Sequence, residues 1–273
     1  MNARTSLLIL GVFMLSWGLW YSVLHFSEQA DEGMTFDRTS SEMPTAQEER
    51  VALDEPVLSS ETVIVPFEKP IEPKIWLSVP FVSQAPTGEW GKSEFQNGCE
   101  EASVLMANAW LKGKTYTKET AKVELIAMAR YQEKKIGQAI DTDAKDTAEA
   151  LLRGYFEMTD FTVEYDFSLS DLRKATARGL LIVPTNGRAL KNPNFTLPGP
   201  LEHMLVVTGY DDTKKEFITN DPGTRKGENY RYPEQVLFDA IREYPTGKHL
   251  PITTERKAMI VVSSASNPAS VTP

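Results

Sequence analysis

The feature that most constrains this chain is a run of 20 residues without a charge near its N-terminus, TSLLILGVFMLSWGLWYSVL, from Thr5 to Leu24. As a helix rising about 1.5 Å per residue, the run would measure about 30 Å, the thickness of a bilayer core. Arg4 precedes it and the acidic Glu28 follows it, so the positive-inside asymmetry predicts a cytoplasmic N-terminus. We expect residues 1–26 to be a single-pass signal anchor in the cell membrane, with the rest of the chain on the extracytoplasmic side. The alternatives are a cleaved signal peptide and a buried helix.

The negative charge of the chain is concentrated in one segment. Residues 27–74 contain 12 acidic and 4 basic side chains and little apolar content, which predicts a flexible acidic stalk rather than a folded unit. The remainder is close to neutral and has no basic patch, so the composition argues against a nucleic-acid partner. The polar residues 264–273 are expected to form a disordered tail.

Residues 75–263 have the apolar periodicity of a folded α+β domain, with a helical part followed by an antiparallel sheet. In the first helix, ended by Gly113, one face carries Ala102, Leu105, Met106 and Ala109. The predicted helices are 99–112, 118–135 with Thr117 as N-cap, a short helix within 143–156, and 170–179 with Ser170 as N-cap. The predicted strands are 161–166, 180–186, 203–212, 216–222 and 257–264.

Cys99 is the only cysteine of the 273 residues, which excludes an internal disulfide and leaves a redox role without a resolving thiol. It follows Gly98 at the start of a predicted helix, where free N–H groups and the helix dipole favour a reactive thiolate. We also expect Gly98 to leave room for a substrate carbonyl to approach the sulfur. Glu100 and Glu101 oppose ionisation, so a nearby imidazolium would be needed. The alternative is a buried structural cysteine.

Three histidines are present, and His25 lies beside the uncharged run. His203 begins an apolar strand and follows a Gly/Pro/Asn loop, residues 187–200, that is long enough to form a cleft wall or a lid. His249 is the second candidate for a base. An imidazole base needs a group that orients it, and the hairpin after His203 would return either Asp221 or Asn220 to its side.

Five segments together resemble the C39-like cysteine peptidases, which have a papain-like fold. They are VPFVSQAP, NGCEEASVLMA, LLIVPTNG, HMLVVTGYDD and ITNDPGT, and the similarity extends over residues 75–263. The resemblance implies a nucleophile at Cys99, a base at His203, an orienting carboxylate at Asp221 and an oxyanion-hole glutamine at Gln84. Gln96, three residues before the cysteine, is the alternative to Gln84. No metal or organic cofactor is implied.

With this resemblance, the sequence predicts a monomeric, membrane-anchored cysteine peptidase that hydrolyses peptide bonds of a peptide or protein substrate. Two alternatives stay open. The first is an amidase or transpeptidase that uses the same residues on cell-wall peptides. The second is a peptide-binding module that keeps the fold without the activity.

Overall fold

Seven strands form one antiparallel sheet in the computed structural model, which describes residues 74–137 and 141–264. The strands are β1 Lys74–Trp76, β2 Phe161–Tyr165, β3 Leu180–Asn186, β4 Glu202–Asp211, β5 Glu216–Asn220, β6 Tyr230–Pro233 and β7 Ala258–Val262. Their order in the sheet is β2-β7-β3-β4-β5-β6, and β1 pairs with β4. The predicted α+β class with an antiparallel sheet is confirmed.

Six α-helices and one π-helix lie in the same part of the chain. They are α1 Ser93–Gln96, α2 Cys99–Lys112, α3 Lys118–Ile136, α4 Ala144–Thr147, the π-helix Ala148–Tyr155, α5 Leu169–Ala175 and α6 Glu234–Ala240. Most helical residues precede the main run of strands, as predicted.

Helices cover both faces of the sheet. On β3, Leu180 and Ile182 belong to the core that includes α2, α3 and the π-helix. Leu181 and Val183 belong to a second core that includes α5 and α6. Because both faces are buried, β3 is a continuous apolar run rather than an alternating one.

The longer predicted elements are confirmed, some of them to the residue. Strand β3 has the predicted bounds, and α2 ends at Gly113, which has the left-handed conformation typical of a helix C-terminus. Thr117 caps α3 in a capping box with Thr120. The one-sided apolar face predicted for α2 was too narrow, because residues 99–110 are all buried.

Three details of the sequence prediction were wrong. Helix α5 begins at Leu169 and is capped by Ser168, not Ser170, because the Ser168 hydroxyl accepts a hydrogen bond from the Asp171 amide. The third predicted helix changes from α to π geometry at Ala148. The prediction also missed α1, β1 and β6, which are too short to show a period, and α6, which is as long as the predicted α5.

The predicted anchor and nearly all of the predicted stalk and tail lie outside the described residues, so these remain predictions. Within residues 74–137 and 141–264, the helices are too short or too polar to cross a bilayer.

Candidate active site

A cleft of about 790 Å³ brings together residues that the sequence singled out from distant segments. Its lining includes Gln84, Gln96, Cys99, His203 and His249. The predicted wall loop contributes Arg188, Phe195, Thr196, Gly199 and Pro200. Loop 187–200 is therefore a wall of this cleft.

Cys99 is the first residue of α2, and its side chain is buried in the core at the cleft. The space beside Gly98 is filled by α1, since a Cβ there would lie 2.7 Å from the Glu94 carbonyl oxygen. Gly98 thus allows close packing of α1 rather than the expected approach of a substrate. Helix α2 meets β4 where the Ser103 hydroxyl donates to the Met204 carbonyl at 3.4 Å. This contact places the cysteine helix against the start of the strand that carries His203.

The thiol of Cys99 donates a hydrogen bond to Glu100, with 3.0 Å between Sγ and Oε2. Burial raises the pKa of the Cys99 thiol well above its usual range, and the charges of Glu100 and Asp141 raise it further. A hydrogen bond with the Met204 backbone acts to lower the same pKa. The expectation of a lowered thiol pKa is wrong for this arrangement, in which the sulfur keeps its proton.

Glu100 is held in place from two other segments. Its Oε1 accepts hydrogen bonds from the Tyr244 hydroxyl at 2.7 Å and from the Thr142 amide at 3.4 Å. Burial and the neighbouring Asp141 raise the pKa of Glu100. The sequence identified Glu100 as unfavourable for a thiolate, but its buried partners lie too far away along the chain to be predicted.

His203, the second residue of β4, is bonded to Asp221, with 2.8 Å between Nε2 and Oδ1. Since a carboxylate only accepts hydrogen bonds, we assign the ring proton to Nε2, which leaves Nδ1 to accept a proton. Phe195 from the wall loop packs edge-on against the imidazole, with 5.4 Å between ring centroids. The ring is thereby held at the cleft, with Nε2 hydrogen-bonded to Asp221.

Asp221 is fully buried, and two residues that the sequence analysis missed help to hold it. Its Oδ2 accepts hydrogen bonds from the Tyr232 hydroxyl at 2.7 Å and from the Asn192 amide at 3.4 Å. Burial acts to raise the pKa of Asp221, but the interactions with His203 and the hydrogen bonds from Tyr232 and Gly223 outweigh it and lower that pKa. An ionised carboxylate is thus favoured beside the imidazole.

Asn220, the alternative to Asp221, binds backbone instead. Its amide donates to the Val79 carbonyl at 3.0 Å, and its carbonyl accepts from the Asn229 amide at 3.0 Å. The structure therefore brings Asp221, and not Asn220, to His203.

Both candidate glutamines line the cleft, but their environments differ. The buried Gln84 amide nitrogen donates to the carbonyls of Phe95 at 2.8 Å and Gln96 at 3.1 Å, just before Cys99. Its Oε1 is buried and has no hydrogen-bond partner within residues 74–137 and 141–264. Gln96 itself is exposed. In this arrangement Gln84 supports the backbone that leads to Cys99, and an oxyanion would have to attract one of its N–H groups.

His249, the other histidine considered as a base, also reaches the cleft. Its Nδ1 lies 3.0 Å from Asp141 Oδ2 and 3.9 Å from Glu202 Oε2. This group of two carboxylates and one imidazole was not predicted from the sequence.

The sequence model of the Peptidase_C39 like family matches residues 76–246, more than half of the chain, including Cys99, His203 and Asp221. No curated protein is similar enough in sequence to count as a match.

Proposed function

The chain belongs to the Peptidase_C39 like family, and on that premise we propose that it is a cysteine peptidase that hydrolyses peptide bonds with Cys99 as nucleophile. The observation that carries the proposal is the His203–Asp221 hydrogen bond of 2.8 Å at the cleft that Cys99 also lines. Buried and ionised, Asp221 would orient the imidazole and stabilise its protonated form.

Catalysis begins when the thiol turns from Glu100 to His203. The Cys99 proton passes to His203 Nδ1, and the sulfur attacks the carbonyl carbon of the scissile peptide bond. The oxyanion that forms is stabilised by the Cys99 backbone N–H at the start of α2 and by one N–H of Gln84. The imidazolium then gives its proton to the leaving amine as the C–N bond breaks, and a thioester remains. Water, deprotonated by the same imidazole, attacks the thioester carbonyl. The C–S bond breaks, the acid is freed, and His203 returns its proton to the Cys99 sulfur.

The proposal is tested by incubating the full-length protein with a peptide library and identifying the products by mass spectrometry. Wild type should cleave, whereas Cys99→Ala should not, and short incubations should trap an acyl adduct on Cys99. Cleavage that survives in Cys99→Ala would refute the proposal. Products formed only from cell-wall peptides would narrow the activity to an amidase or transpeptidase. A lack of both products and adducts would point to a peptide-binding module.

The oxyanion role of Gln84 is tested with Gln84→Ala against Gln96→Ala. A lost oxyanion donor lowers kcat by about 10²- to 10³-fold. We expect that loss for Gln84→Ala and a change within a few-fold for Gln96→Ala. The reverse order would move the oxyanion role to Gln96.

We further propose that residues 1–26 anchor the protein in the cell membrane with the peptidase domain outside the cytoplasm. The support is the uncharged run and its flanking charges. Protease added to intact cells should remove the domain and leave a short N-terminal fragment in the membrane fraction. Full-length protein in the soluble fraction would contradict the anchor.

A further inference from the structure

A second group of ionisable side chains lines the same cleft, apart from the residues proposed for hydrolysis. It consists of Asp141, Glu202 and His249. One potential ligand atom from each residue lies within 4.8 Å of the other two. The three residues come from the segment before α4, from the first residue of β4 and from the loop after α6. Three remote segments therefore bring two carboxylates and an imidazole together.

Glu202 is the member whose surroundings are incomplete. Its side chain is only 5% exposed, and its Oε1 makes no hydrogen bond within residues 74–137 and 141–264. The 3.9 Å between Glu202 Oε2 and His249 Nδ1 is longer than a hydrogen bond. A buried carboxylate oxygen without a partner is costly, and a cation is the ligand that removes this cost most directly.

The other two members are already oriented. Asp141 Oδ2 accepts one hydrogen bond from the His249 backbone amide at 3.0 Å. The same oxygen lies 3.0 Å from the His249 ring nitrogen Nδ1. The Asp141 carbonyl accepts a further hydrogen bond from Gly247 at 2.9 Å. These contacts fix the loop so that the ring and the carboxylate face one another before any ligand binds.

The spacing fits a zinc-sized ion. Zinc bonds of about 2.0–2.2 Å at tetrahedral angles separate neighbouring ligand atoms by about 3.4 Å. The two separations of 3.0 and 3.9 Å lie on either side of that value. His249 is 53% exposed, which provides a path for the ion and a fourth position for water.

We propose that Asp141, Glu202 and His249 bind a divalent transition-metal cation, with Zn²⁺ as the best match to one imidazole and two carboxylates. The ion would lie in the cleft wall, and its binding does not depend on peptidase activity.

The test is a titration of the full-length protein, purified in detergent, with Zn²⁺ by calorimetry and with Co²⁺ by visible absorption. Wild type should bind one equivalent and give cobalt bands without a strong thiolate charge-transfer band. Glu202→Gln and His249→Ala should each weaken binding at least tenfold, with unchanged circular dichroism. Glu255→Gln, at an exposed acid, and Cys99→Ser should bind as wild type does.

Three results would overturn the proposal. The first is metal affinity that is unchanged in both Glu202→Gln and His249→Ala. The second is a thiolate charge-transfer band that disappears in Cys99→Ser, because the metal would then be bound at the nucleophile. The third is tight Ca²⁺ binding whose affinity is the same in wild type and in His249→Ala, which would indicate a site formed by oxygen ligands alone. Wild type that binds neither Zn²⁺ nor Co²⁺ would overturn the proposal as well.

Discussion

The thiol of Cys99 donates a hydrogen bond to the side chain of the next residue, Glu100, with 3.0 Å between Sγ and Oε2. Tyr244 and Thr142 hold that carboxyl group in position, so the contact is built into the core. In the mechanism proposed above, Glu100 would compete with His203 for the thiol proton. A substrate that turns the sulfur away from Glu100 would relieve this competition, so the nucleophile would be activated only when the cleft is occupied.

Glu100→Gln should lower the apparent pKa of Cys99, because it removes the nearest negative charge and keeps an acceptor for Tyr244. The pH dependence of iodoacetamide labelling measures this pKa. Glu101→Gln is the matched control, because Glu101 is equally buried but Glu100 is the residue that accepts the thiol hydrogen bond. Equal shifts in the two variants, or an upward shift in Glu100→Gln, would contradict the competition.

Asp221 and Asn220 are adjacent, yet their replacement should affect different properties. Asp221→Asn should lower kcat by about 10²- to 10⁴-fold, because an amide does not stabilise an imidazolium as a carboxylate does. Asn220→Ala should instead lower the free energy of unfolding by about 1–3 kcal/mol, because two backbone groups lose their partner. Peptide hydrolysis and urea unfolding measure the two effects. A large loss of kcat in Asn220→Ala, together with a loss of stability alone in Asp221→Asn, would show that Asn220 orients the imidazole.

Gly223 packs directly against the imidazole. A Cβ there would lie 2.7 Å from His203 Cε1 and 3.3 Å from Asp221 Oδ1. Gly223→Ala should therefore displace the ring and reduce kcat at least tenfold, since small misplacements of catalytic groups are costly. Gly91→Ala is the control, because Gly91 lines the same cleft and has open space around it. Similar kcat values for the two variants would mean that the ring position is not critical.

Local sequence patterns predicted much of the fold and part of the candidate site. The turn after Asp211 closes a β4–β5 hairpin in which Val206 pairs with Asn220. The hairpin argument predicted that Asp221 or Asn220 would return to His203, and this register brings Asp221, 18 residues after the histidine, to the imidazole. Turn chemistry and strand period can be read from the chain. The exact pairing also depends on a register shift between Val207 and Gly209, which was not predicted.

Other parts of the site depend on packing between remote segments. Glu100 and Tyr244 are 144 residues apart, and no local pattern predicts their contact. The direction of the Cys99 pKa shift was predicted wrongly for the same reason. The position at a helix start favours the thiolate, but burial has the larger effect and raises the pKa. The depth of burial follows from tertiary packing, which no local pattern shows. Asp141 and Glu202 join His249 through equally distant segments.

The carboxyl group of Glu243 lies at the start of α4, where its Oε1 accepts a hydrogen bond from the first amide of the helix at 3.1 Å. Burial raises the pKa of Glu243 to about 7. In the unfolded chain this carboxyl group ionises near pH 4.3. Its contribution to stability is therefore fully present below about pH 4 and is lost as the pH rises through about 7, because only the folded state keeps the proton.

Glu243→Gln mimics the protonated side chain at every pH and should abolish this loss. Between pH 4 and pH 8, the free energy of unfolding of wild type should fall by about 3 kcal/mol relative to the variant. Urea unfolding at a series of pH values measures the difference, in which the other titrating groups cancel. Glu255→Gln, at a side chain that is 91% exposed, should differ from wild type by a nearly constant amount. A constant difference for Glu243→Gln as well would mean that Glu243 is ionised in the folded protein.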